Sequence, residues 1–174
     1  MKKNNGYPET VAEVLDDNMK FLPGTNKVME EFKKSQPWKG DREEIQAKFR
    51  ALNEELSTVY GIEPPQVIFV SRFVYGSCYF SIGNLIILEQ EKDGRYSVVV
   101  FLHEFGHALG KNEKATCKWS INLFKRHFPR SFNKLIPKGH LLMRNDTEKP
   151  LADVVQDLFD NPNKYIGEDH AQTR

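Results

Sequence analysis

The chain has 174 residues, 39% of them hydrophobic and 28% charged, which suits one soluble globular domain with a sizeable core spanning 1–174. Its longest apolar runs, Val98–Leu102 and Leu85–Leu88, fall far short of the roughly 18 residues that cross a bilayer, so a membrane-spanning helix is excluded. Two cysteines, Cys78 and Cys117, are too few for a disulfide framework, and a net charge of only +1 gives no overall bias toward an acidic partner.

Met1-Lys2-Lys3 is basic like the start of a secretory signal, but Asn4 to Glu9 are not apolar. No signal peptide is therefore expected, and the expected location is cytoplasmic, with reduced thiols. Thr10-Val11-Ala12-Glu13 has the pattern of a capping box, which predicts a helix with Val11, Val14, Leu15 and Leu22 inward, stopping before Pro23-Gly24. A short helix is expected after Thr25. Asp41 with Glu44 starts a stronger one, in which Ile45, Phe49, Leu52, Leu56 and Val59 recur at helical spacing until Gly61, Pro64 and Pro65. Residues 1–65 thus read as a helical layer. Three strands are expected next: Val67–Ser71, Cys78–Ser81 and Asn84–Glu89, the last two joined tightly at Ile82-Gly83. Lys92-Asp93-Gly94 then turns the chain into another helix, with Ser97 as its expected cap.

That helix carries His103-Glu104-Phe105-Gly106-His107 inside the apolar run Val98–Leu109. Two histidines four residues apart share one face of a helix, so both imidazoles reach one metal ion. At about 100° per residue, Val98, Leu102, Phe105 and Leu109 fall on one face and the histidines nearly opposite, giving separate core and chemical faces. Glu104, beside the pair, is placed to take a proton from a water whose pKa a zinc ion lowers to about 7. Gly110 is suited to the left-handed conformation that ends a helix. The chain would then turn back, so that Glu113, six residues after His107, opens a second helix within reach of the metal. Glu113 is read either as the third ligand, leaving one position open for water, or as an ordinary first-turn acid favoured by the helix dipole.

These residues resemble the zincin metallopeptidases, and more closely the small single-domain ones with a glutamate ligand: the minimal gluzincins and related phage or bacterial zincin-like proteins. The resemblance covers roughly Tyr79 to Phe128. It implies an α+β zincin-like domain in which a small mixed or antiparallel sheet packs with the N-terminal helical layer, the metal helix and a glutamate helix, with sheet and metal site within 66–128. It also implies one Zn2+ per chain held by His103, His107 and Glu113, with Glu104 as general base, acting on a peptide or protein substrate. The motif alone implies only metal-assisted hydrolysis. Two features depart from the pattern. Cys117 stands where the glutamate helix usually carries an aspartate supporting a metal histidine, and the gap from His107 to Glu113 equals the ligand spacing of metzincins. Met143 then becomes a weak candidate for their methionine turn, with a core methionine as the simpler reading. In zincins the strand before the metal helix is a sheet edge that pairs with extended peptide, which here points to Asn84–Leu88; a strand with no ligand is the alternative.

A group that stabilises developing negative charge is expected near the metal. His127, His140, Tyr79 and Tyr165 are available, none with diagnostic spacing, and none is placed in the catalytic set. From Lys111 to Lys149 there are ten Lys and Arg against three acids. Lys114, Lys118 and Lys125 share one helical face opposite Cys117, Ile121, Phe124 and Phe128, so this reads as a solvated surface over a packed stripe and not as a nucleic-acid site. One more helix is expected at Leu151–Phe159, then a flexible tail over 161–174. The expected activity is zinc-dependent peptide hydrolysis. The alternative is a non-catalytic or latent regulatory protein that keeps a zincin fold.

Overall fold

The computed structural model describes residue 8 and residues 10–71, 77–89 and 94–143, with only the backbone at 94, 95 and 143. The Lys92-Asp93 part of the predicted turn, the predicted helix Leu151–Phe159, the tail 161–174 and Tyr165 lie outside the described residues, as does the Met143 side chain.

The segment after Thr10 does not become the predicted helix. Only one 3₁₀ turn forms, Val11–Glu13, and Thr10 makes no side-chain cap to the backbone; its hydroxyl donates to the Glu13 carboxylate at 3.2 Å. Tertiary partners take over this stretch. The Val11 N–H donates to the Gly139 carbonyl, the Asp16 N–H to Asn122 Oδ1, and Asn122 Nδ2 to the Val14 carbonyl at 2.7 Å. Val11 and Val14 are buried, whereas Leu15 and Leu22, expected inside, are exposed.

Pro23, read as a stop, is instead the first residue of helix α1, Pro23–Lys34. Proline is tolerated there because the first helical N–H has no partner in any case. Helix α2, Arg42–Tyr60, forms as its sequence predicts: Asp41 and Glu44 close a reciprocal capping box, and Gly61 ends it at φ +65°. The two helices pack together through Phe32 and Phe49, whose rings meet edge to face at 5.4 Å.

Strands β1 (Gln66–Val70), β2 (Cys78–Phe80) and β3 (Leu85–Glu89) form a mixed sheet in the order β1-β3-β2. β3 pairs parallel with β1 and antiparallel with β2, so it is the central strand. This corrects the expectation that Asn84–Leu88 is a sheet edge. Its four consecutive apolar residues suit a strand with neighbours on both sides, and Ile86 and Leu88 are fully buried. Asn84 anchors the register: its carbonyl accepts from the Gln66 N–H at 2.8 Å, its Nδ2 donates to the Glu63 carbonyl, and its Oδ1 accepts from the Tyr79 hydroxyl. Among the described residues, the outer side of β2 pairs with no strand.

Helix α3 spans Gly94–Ala108 and helix α4 spans Glu113–His127. Ser97 lies inside α3 and does not cap it; its buried hydroxyl has no partner among the described residues. Val98, Phe101, Leu102 and Phe105 are fully buried, and aromatic contacts join Phe49 to Phe101 and Phe105 to Trp119. On α4 the predicted stripe of Cys117, Ile121, Phe124 and Phe128 is buried, but so are Trp119, Ser120 and Leu123, so the helix is enclosed on more than one side. Its basic face is tied down locally. Lys118 and Lys125 pair with Asp16 and Asp17, and Arg126 donates to the Met19 carbonyl over the Phe21 ring.

A short helix α5, Pro129–Phe132, and a two-stranded hairpin, β4 (Ile136–Lys138) with β5 (Leu141–Met143), follow. The protein is α+β, and residues 1–144 form one compact unit. No helix among the described residues is long and apolar enough to cross a membrane.

Candidate metal centre

His103 and His107 sit one turn apart on α3, with their Nε2 atoms 3.2 Å from each other. The helix ends directly after them. Gly110 is left-handed at φ +73°, its N–H donates to the His107 carbonyl, and the Lys111 N–H donates to the Gly106 carbonyl. That pair of bonds is a Schellman closure, which a side chain at position 110 would strain. Two residues later Asn112 caps α4 by accepting from the Ala115 N–H at 2.9 Å. Glu113 is therefore the first residue of α4, in a reversed segment. Its Oε2 lies 3.2 Å from His107 Nε2 and its Oε1 lies 3.5 Å from His103 Nε2.

These separations have a chemical meaning. Zinc bonds of about 2.0–2.1 Å in tetrahedral array place neighbouring ligand atoms about 3.3–3.4 Å apart. The two Nε2 atoms stand 3.2 Å apart, close to that edge, and the carboxylate meets them through different oxygens, Oε2 at 3.2 Å from His107 and Oε1 at 3.5 Å from His103. Two imidazole nitrogens facing each other at 3.2 Å share one proton at most, so a cation between them and the carboxylate satisfies all the lone pairs at once. His107 is also oriented for it: Nδ1 lies 3.2 Å from the Lys111 carbonyl, and a proton donated there leaves the Nε2 lone pair facing inward.

Electrostatics separate the two histidines. Burial lowers His103 to about 4, whereas the bond to Glu113 raises His107 above its ordinary value against a smaller burial effect. Their side chains are 17% and 26% exposed, so the deeper one bears more of the desolvation. Glu113 is held down to about 2, chiefly by the His107 bond. Glu104 is 7% exposed, and burial pushes its carboxyl up to about 7, with a bond from the Tyr79 backbone N–H acting against this.

Cys117 offers a competing ligand set. His103, Glu113 and Cys117 bring one donor atom each within 4.8 Å of one another. The sulfur, however, approaches His103 Nδ1, at 4.0 Å, and lies across the ring from the Nε2 that faces His107. A neutral imidazole has one free nitrogen lone pair, so His103 serves a metal through Nδ1 or through Nε2, and the Nε2 side gathers more donors. Burial pushes the Cys117 thiol far up, and as a thiol it donates to Glu113 Oε1 at 3.4 Å.

Of the three described groups considered for charge stabilisation, His127, His140 and Tyr79, one side chain reaches the centre. His140, on the turn between β4 and β5, places Nε2 3.3 Å from Glu113 Oε1. Tyr79 contributes only its backbone N–H, since its hydroxyl is bonded to Asn84. His127 is buried elsewhere, between Glu30 and Asn26. The sequence reading did not single out Thr116, whose hydroxyl donates to the Lys111 carbonyl and lies 3.4 Å from His107 Nδ1. A glycine inside the motif was the available sign that a neighbouring helix passes close there.

A Cβ on Gly106 would lie 2.9 Å from Thr116 Cγ2. Gly106→Ala is therefore expected to destabilise by roughly 1 kcal/mol, overpacking outweighing the gain in helix propensity. Thr116→Ser added to it removes that methyl, and in urea unfolding the double variant is expected to recover most of the loss. Recovery by Thr116→Leu instead would mean that the contact is not what limits position 106.

Beside the centre opens a cleft of about 390 Å³, with His103, Glu104 and Glu113 on its floor and Tyr96, Val99, Ile121 and Leu142 among its walls. A larger cleft of about 930 Å³ beside Lys33, Trp38 and Arg130 holds none of these three groups. No protein-family model, curated protein or solved structure matches the chain.

Proposed function

We propose that the protein is a zinc-dependent peptidase with a zincin-like fold, its metal held by His103, His107 and Glu113. The observation that carries this is the convergence of two Nε2 atoms, 3.2 Å apart, with the two oxygens of the Glu113 carboxylate 3.2 and 3.5 Å from them, and a buried carboxyl, Glu104, nearby. Two imidazoles and a carboxylate favour zinc and leave a position open.

When bound, zinc supplies Lewis acidity that brings a water into its reactive range near pH 7. Glu104 accepts that water's proton and, in the same apolar surroundings, returns it to the leaving amine. Burial pushes the Glu104 carboxyl up to about 7 in the metal-free protein, and a bound cation would draw it down toward the carboxylate form that accepts the proton. Lys111 and Thr116 hold the ring of His107, and Glu113 stays ionised throughout. An extended peptide has a docking edge in β2, whose outer side is unpaired among the described residues and whose neighbour Ser77 lines the cleft. The substrate strand is thus assigned to β2 and not to β3.

One observation favours a second reading, a regulatory protein that binds metal without turnover: His103 Nδ1 has a thiol at 4.0 Å in place of a carboxylate partner. A peptide-library digest read by mass spectrometry separates the two. Zinc-loaded protein is expected to cut peptides, chelator to stop the cutting, and added zinc to restore it. Protein that holds stoichiometric zinc and cuts nothing would favour the regulatory reading.

A further inference from the structure

The hairpin β4–β5 is the part of the molecule that the catalytic scheme leaves without a role, yet its turn points into the centre. Lys138 pairs with Leu141, so Gly139 and His140 form a two-residue turn, with Gly139 left-handed at φ +59°. That turn brings His140 Nε2 to 3.3 Å from Glu113 Oε1. The same oxygen lies 3.5 Å from His103 Nε2. Glu113 Oε1 is thus flanked by an imidazole from α3 and an imidazole from the hairpin, both at the ligand-to-ligand distance of a tetrahedral metal.

We propose that His140 is a fourth protein ligand of this metal, so that the resting centre is closed by the β4–β5 hairpin and opens when the hairpin moves. This rests on the metal reading above. The hairpin is suited to move: each strand has three residues, all of β4 is exposed, and a two-stranded ribbon has little stability of its own. Among the described residues it is held by the Val11 N–H on the Gly139 carbonyl and by the buried Leu142 side chain. Leu141 and Leu142, next to His140, line the cleft. A peptide entering the cleft therefore presses on the element that carries the fourth ligand. Substrate binding and opening of the coordination position become one event. On opening, His140 would withdraw as a neutral imidazole and leave His103, His107 and Glu113 to hold the metal, with a position free for water or a substrate carbonyl.

Zinc X-ray absorption on the full chain tests this. Wild type is expected to show outer-shell scattering from three imidazoles, and His140→Ala from two, with zinc affinity lower by about tenfold and faster hydrolysis of a short unstructured peptide. Two imidazoles in wild type, or identical spectra for wild type and His140→Ala, overturn the assignment while leaving the metal centre itself in place. Failure of wild type to take up zinc at all removes both. If His140→Ala does not fold, the wild-type imidazole number alone decides. If wild type and His140→Ala both show two imidazoles and the variant turns over more slowly, His140 is a donor to the transition state, and the closed-site proposal falls.

Discussion

Replacing Glu104 with Gln is expected to lower peptide hydrolysis by about 10²–10⁴-fold while leaving fold and zinc content unchanged, because a positioned base contributes about that much. Glutamine keeps the shape of the side chain and loses the ability to accept a proton. The residue sits among buried groups, so Ala would open a cavity and mix a packing loss with the chemical one. A second readout separates this from a general lesion. In chelator, burial holds the Glu104 carboxyl up at about 7 against an ordinary 4.5. An acid raised on folding binds more protons in the folded chain than in the unfolded one between those values, so its contribution falls as pH rises through that window. Gln has no such cost. Glu104→Gln is thus expected to be more stable than wild type at pH 8, by on the order of 3 kcal/mol at most, and to lose the advantage near pH 4. Turnover as fast as wild type would place the base elsewhere. Unchanged stability at pH 8 would mean that Glu104 is more solvated than its burial indicates.

Features encoded by short-range rules were legible in the sequence. Asp41, Glu44 and Gly61 bound α2 because caps are made by residues within one turn. The approach of Glu113 to the histidine pair was readable for the same reason, since the Gly110 closure and the Asn112 cap are local bonds that return the chain. Where distant groups compete, local patterns misled. The Thr10-to-Glu13 pattern was a sound capping signal, yet Asn122, more than a hundred residues away, takes the backbone groups that a helix would have used. Strand positions were legible, but their order was not, because pairing β1 beside β3 is a choice between alternatives that hydrophobicity does not distinguish. The β4–β5 hairpin escaped because Pro137 demotes a three-residue run that is already short, and so His140 had no element to place it. The role of Gly106 in the α3–α4 contact likewise depends on Thr116, ten residues on and in another helix.

Adding zinc to the full chain is expected to raise its melting temperature by about 5–10 °C, and the His103→Ala, His107→Ala double variant is expected to show none of this. The size follows from mass action. Free zinc at about 100 times the dissociation constant stabilises the folded chain by about 2.7 kcal/mol, and each kcal/mol moves the midpoint of a chain this long by about 2–4 °C. Glu113→Ala should lose most of the shift too, since it removes the carboxylate in contact with both motif histidines. The pH dependence has a definite sign. His107, raised above its ordinary 6.5 by Glu113, must release its proton to bind metal, whereas His103, lowered to about 4, is already neutral. The zinc-induced increment should therefore shrink as pH falls from about 8 toward 6, with loss beginning above 6.5. An increment that does not change over that range would mean that His107 is not a ligand. An equal increment in the double variant would put the metal elsewhere on the chain, and Glu104 would then have no activated water to act on.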